Sequence, residues 1–103
     1  MSSVLDNKDV KALCKAFASL ENEREARAFL RDLLTEGEML EFGRRWKAAQ
    51  MLNDNLSYRD IEAETGLSST TIARISKWLQ GGTGGYRKML DKQFPSGASP
   101  RHH

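Results

Sequence analysis

The strongest constraint on this chain is residues 57–79, SYRDIEAETGLSSTTIARISKWL. Two short segments with helical spacing of apolar residues meet at Thr65-Gly66-Leu67. Ser57 is placed to cap the first helix and Ser68 the second, each offering a side-chain oxygen to otherwise orphaned backbone N–H groups. Gly66 can take the left-handed backbone that ends the first helix, because it has no Cβ to clash. Ile61, Leu67, Ile72, Ile75 and Leu79 fall where both helices bury one side against a common core. Ser69, Thr70, Ala73, Arg74 and Lys77 are then left on the outward side of the second helix. This is the helix-turn-helix pattern, whose second helix enters the DNA major groove. The same spacing would also serve a helical hairpin that only packs a core. Glu62 stands where most such motifs carry a small residue.

Charge favours the nucleic-acid reading once it is divided along the chain. Residues 1–43 hold six Lys/Arg against nine Asp/Glu, a net of −3, whereas residues 44–103 hold ten against five, a net of +5. The basic part carries the motif. The effect is mild, since Arg59, Arg74 and Lys77 are offset by Asp60, Glu62 and Glu64. Binding by one copy should therefore be weak and salt-sensitive. The single cysteine, Cys14, cannot form an internal disulfide and lies among Val10, Leu13 and Phe17, so a buried thiol is expected. No run approaches membrane-spanning length and the first residues lack a signal-peptide pattern. A cytoplasmic, nucleoid-associated protein with no cofactor, no metal and no membrane partner is expected.

In chain order, residues 1–6 are expected to be frayed. Val10, Leu13, Cys14, Phe17 and Leu20 predict a first amphipathic helix over residues 7–19. Asn22 with Glu25 resembles a capping box and opens a second helix burying Ala26, Phe29, Leu30, Leu33 and Leu34. Thr35 with Glu38 is a clearer box and starts a longer helix lined by Met39, Phe42, Gly43, Trp46, Ala49 and Leu52. Gly43 inside it predicts that another helix passes close by. Asn53-Asp54-Asn55 should end it. The run Gly81-Gly82-Thr83-Gly84-Gly85 is a poor phosphate loop, having no strand before it and no Lys-Ser/Thr pair after it, so a flexible joint is expected. Tyr86, Met89, Leu90 and Phe94 predict a last helix within residues 84–94, and residues 95–103 a disordered tail. The expectation is one all-α domain of six helices over residues 1–94. Residues 7–56 would form dimerisation helices and 57–79 the motif. The first three helices are apolar on broad faces that a lone chain this short cannot cover, which an obligate homodimer with a shared core of these helices would resolve. A two-fold dimer would also present two motif helices to half-sites about 34 Å apart.

The chain resembles the Trp repressor superfamily, and more closely its bacterial Trp-repressor-like branch. The resemblance rests on Leu34-Thr35, Phe42-Gly43-Arg44-Arg45, Ser57-x-Arg59-Asp60-Ile61, Glu64-Thr65-Gly66 and Thr71-Ile72-Ala73-Arg74, with Gly-Gly-x-Gly-Gly-Tyr before the last helix. It spans about residues 5–94. It implies an intertwined all-helical homodimer that binds operator DNA. By position, Arg59, Ser69, Thr70 and Thr71 match residues that face DNA in that family. Arg59 is the candidate for a bidentate guanine contact, its alternative being an ion pair with Asp60 or Glu62. Thr35, Arg45 and Arg74 match corepressor-pocket residues, but Ile75 replaces a pocket glycine and Trp78 a pocket serine. This added bulk predicts that free L-tryptophan is not the corepressor. The Trp78 indole would then stack on Arg45 or Arg74, or else serve only as a core or interface residue.

The expected function is thus a dimeric, sequence-specific transcriptional regulator, a repressor. Arg59 and residues 68–71 (Ser68, Ser69, Thr70, Thr71) would read bases; Arg74 and Lys77, with Arg44 and Lys47, would hold phosphates. Two alternatives are a helical dimeric adaptor without specific DNA binding and a regulator under another small-molecule effector. Enzymatic function is not expected: the only histidines are His102 and His103, and there is no nucleophile–base pair.

Overall fold

The computed structural model describes residues 3–95. Among them there are seven helices and no strand, so the all-α expectation holds. Six are the expected ones. The seventh, α1 (Ser3–Asp6), is a single turn where fraying was expected. Residues 96–103, which hold most of the expected tail and both histidines, lie outside the described residues. The chain divides into two compact units between Met39 and Leu40.

The first unit holds α1, α2 (Lys8–Ala18), α3 (Glu23–Leu33) and the start of α4 (Glu36–Asn53). Its helix starts are decided locally. The Asn7 side chain accepts from the Asp9 and Val10 N–H groups, and that of Asn22 from Glu25 N–H. Thr35 and Glu38 form a reciprocal box: Glu38 N–H donates to Thr35 Oγ1 at 3.1 Å and Thr35 N–H to Glu38 Oε1 at 2.9 Å. Apolar side chains do gather here. Phe17 meets Phe29 edge to face, with ring centroids 5.5 Å apart. Yet neither α2 nor α3 contains a buried residue, and Val4, Leu5, Phe17 and Leu33 are at least 40% exposed. Cys14 is likewise exposed rather than buried. The amphipathic pattern was real, but within one chain its apolar side is only partly covered.

The second unit contains the core: Ala48, Ala49 and Met51 from α4, Ile61 from α5 (Tyr58–Thr65), Leu67 from the turn, and Ile72 and Ile75 from α6 (Ser69–Gly81). Trp46, Leu52, Leu56 and Tyr86 pack against it. The chain leaves α4 through Asn55, the one described non-glycine residue with positive φ, at 63°. Gly43 departs from expectation, because a Cβ built on it would meet nothing within 4 Å. Phe42 beside it is 50% exposed.

The glycine run overlaps the ends of two helices. Helix α6 continues through Gly81, and α7 (Gly85–Gln93) begins after only residues 82–84. Gly82 is required by close approach, since a Cβ there would lie 2.7 Å from the Trp78 carbonyl oxygen. Leu90 anchors α7 at 1% exposure, Tyr86 stacks on Trp46 at 6.4 Å, and Arg87 hydrogen-bonds Asn53. Burial pushes the Tyr86 hydroxyl above its ordinary pKa, and the nearby Arg45 guanidinium opposes this only in part. A phenol whose pKa is raised by folding contributes stability that is intact below its ordinary value, near 10, and is lost as pH rises beyond it. Denaturation across pH 9–12 (an order-of-magnitude window about that value) should therefore show a decline above about pH 10 that Tyr86→Phe reduces.

Candidate nucleic-acid interface

Three hydroxyl groups and one glycine shape the motif. Ser57 Oγ accepts from Asp60 N–H at 3.1 Å and starts α5. Gly66 ends it at φ 78°, its N–H bonded to the Glu62 carbonyl. Thr65, which sequence reasoning assigned no role, is buried at 7% exposure. Its hydroxyl donates to the Ile61 carbonyl at 2.7 Å and accepts from Leu67 N–H at 3.2 Å. One side chain thereby ties the end of α5 to the turn. The signal available beforehand was a hydroxyl residue directly before the helix-ending glycine. Ser68 Oγ then accepts from Thr71 N–H and donates to Thr71 Oγ1, both at 3.1 Å.

That last pair separates the proposed readers. Ser68 and Thr71 use their hydroxyls on each other, and Thr71 is half-buried. Ser69, Thr70, Ala73, Arg74 and Lys77 are exposed, while Ile72 and Ile75 on the opposite side of α6 are fully buried. The outward side of the helix is therefore polar and cationic, and its inward side is fixed to the core. Arg59 is exposed on α5. Among the described residues, Arg59, Arg74, Lys77 and Lys47 make no ion pair, so the alternative pairing of Arg59 with Asp60 or Glu62 does not form. Arg44 differs. It lies 3.5 Å from Glu41, which also holds Arg45 Nε at 3.5 Å. These are half-exposed surface pairs, each worth about 0–1 kcal/mol, so Arg44 can be drawn away but starts partly neutralised.

The five pocket-equivalent residues fall in both units. Thr35 belongs to the first unit, where its hydroxyl caps α4; Arg45, Arg74, Ile75 and Trp78 belong to the second. Ile75 is 0% exposed in the core and Trp78 is 46% exposed. Arg45 lies over the Phe42 ring, 6.0 Å from its centroid, rather than over Trp78. Phe42 stands one helical turn before Arg45, so the local partner displaces the expected one. No ring stacks on Arg74 among the described residues.

A family model described as Trp repressor protein matches residues 8–94. The chain belongs to the Trp repressor family. Within and around that family, the chain is 34% identical over 88 residues to the uncharacterised protein YerC of Bacillus subtilis (strain 168), covering 85% of each. It superposes on a TrpR-like protein from Eubacterium eligens ATCC 27750 with a TM-score of 0.80 and 33% identity, covering 89% of this chain and 95% of that one. A Staphylococcus aureus protein studied as a candidate Trp repressor gives a TM-score of 0.73 at 33% identity, over 90% and 88% of the two chains. The Trp repressor family is one of DNA-binding regulators, in keeping with a helix-turn-helix whose outward side is exposed. No helix among the described residues is long and apolar enough to cross a membrane.

Proposed function

We propose that this chain is a sequence-specific transcriptional repressor that acts as a homodimer through α5 and α6. The observation that carries the reading is the two-sidedness of α6: Ile72 and Ile75 fully buried, and Ser69, Thr70, Arg74 and Lys77 exposed with no internal ion pair among the described residues. Such a helix is held rigidly from behind and offers hydrogen-bonding and cationic groups in front, as major-groove entry requires. Fluorescence anisotropy with duplexes of differing sequence, across salt concentrations, tests it. Sequence-selective retention with a steep salt slope supports the regulator. Absence of any binding at low salt favours the adaptor reading, which the near-balance of Arg59, Arg74 and Lys77 by Asp60, Glu62 and Glu64 keeps in play.

The dimer rests on the first unit, whose aliphatic and aromatic side chains are left open along α2 and α3. Uncovered apolar surface of this kind marks an association site. In the dimer, residues 1–94 would act as one intertwined domain. Leu33→Glu provides a test. Leu33 is 41% exposed, and a substitution at such a position in a true monomer changes stability by about 0.5 kcal/mol or less. In a dimer it buries a charge, so sedimentation should show dissociation and anisotropy a loss of DNA affinity.

The effector side of the proposal is negative. Ile75 occupies the core and Trp78 adds an indole where the family pocket has small residues, so free L-tryptophan is not the corepressor. Isothermal titration should give no heat of micromolar L-tryptophan binding, and L-tryptophan should leave the anisotropy isotherm unchanged. Micromolar binding would instead return the protein to tryptophan control.

A further inference from the structure

Resting on the DNA-reading role proposed for α6, we infer that Ala73, with the γ-methyl of Thr70, forms an apolar contact that reads the C5-methyl group of a thymine in each half-site. Neither residue's apolar part has a role in the fold. Both are exposed, while their neighbours Thr71 and Ile72 turn inward.

The placement follows from helix geometry. Ala73 is four residues after Ser69 and four before Lys77, so the three form one row along the outward side of α6. Thr70 and Arg74 form the adjacent row, and Thr70 lies three residues before Ala73, close enough for their methyl groups to be neighbours. Around this point stand polar groups: the Ser69 and Thr70 hydroxyls towards the helix start, the Arg74 and Lys77 cations towards its end. Ser68 and Thr71 are engaged with each other by hydrogen bonds at the helix start. In the middle is a side chain of one carbon. Ala73 cannot hydrogen-bond any base edge, and its shortness lets the helix backbone approach the groove floor there. Within the major groove the only apolar group on an unmodified base edge is the thymine methyl. A 5-methylcytosine presents the same group, and the two are separable by experiment.

The test starts from a duplex enriched from random sequence by the full-length protein. Each thymine is replaced in turn by deoxyuridine, which removes the methyl and keeps the hydrogen-bonding edge. Competition anisotropy should show one thymine per half-site whose replacement weakens binding several-fold. Thr70→Ser, which keeps the hydroxyl, and Ala73→Gly should each shrink that penalty to less than twofold while other base preferences persist. Circular dichroism checks that each variant folds; should Ala73→Gly fail to fold, Thr70→Ser carries the comparison. Replacing the same thymine by cytosine and then by 5-methylcytosine should lose affinity and recover part of it. An enriched site in which no thymine methyl matters, or a uracil penalty that both variants retain, would overturn this inference alone. Failure to enrich any sequence would overturn it together with the DNA-reading role.

Discussion

Ile72→Ala is expected to cost about 2–5 kcal/mol of folding stability, the range for removing a large buried aliphatic side chain. Ile72 is 0% exposed and packs in the cluster that joins α4, α5 and α6. The loss combines the transfer free energy of the deleted carbons with a cavity that neighbours close only in part. That is a large share of the total for a small domain, about 5–15 kcal/mol. Chemical denaturation monitored by helix content should show the shift. Thr71→Ala, one residue away and half-buried, should cost far less, because Ser68 Oγ still caps the Thr71 N–H. Similar losses from both would mean that α6 is not seated by its isoleucines.

Arg59→Ala and Lys77→Ala should separate in kind. A bidentate arginine–guanine contact is worth about 1–3 kcal/mol of discrimination, and a dimer makes it twice. Arg59→Ala should therefore reduce affinity for the preferred site by roughly one and a half to four orders of magnitude per pair of half-sites and relax preference at one position in each. Lys77→Ala should weaken all sequences alike and flatten the salt slope by about one per lost phosphate contact. Both side chains are exposed and without ion pairs among the described residues, so neither change should disturb the fold. Equal loss of discrimination from both would contradict the assignment of roles.

What was legible in the sequence was what is decided within a few residues. The caps at Asn22, Thr35, Ser57 and Ser68 form as their spacing predicts, and Gly66 takes its left-handed conformation. The apolar period of residues 57–79 placed Ile61, Leu67, Ile72 and Ile75 in the core, while Leu79, expected with them, is half-buried. What was not legible depends on neighbours distant in sequence, or on competition between partners. Cys14 was expected to be buried because its helix is amphipathic, but periodicity identifies an apolar side and not what covers it. Gly43 was expected beneath another helix, and within this chain it meets open space. Trp78 lost Arg45 to Phe42, which shares Arg45's helix face. The burial and hydrogen bonds of Thr65 were not legible, because a threonine that bonds its own helix backbone looks, in sequence, like any other surface hydroxyl.

The central claim is that two copies of one polar, cationic helix face read duplex DNA together. Enrichment of random duplexes by the purified protein tests it most directly. The account predicts a two-fold symmetric motif whose half-site centres lie about one helical turn, or a whole number of turns, apart. An enriched pool with no shared motif, or with a single unrepeated half-site bound by one subunit, would contradict it.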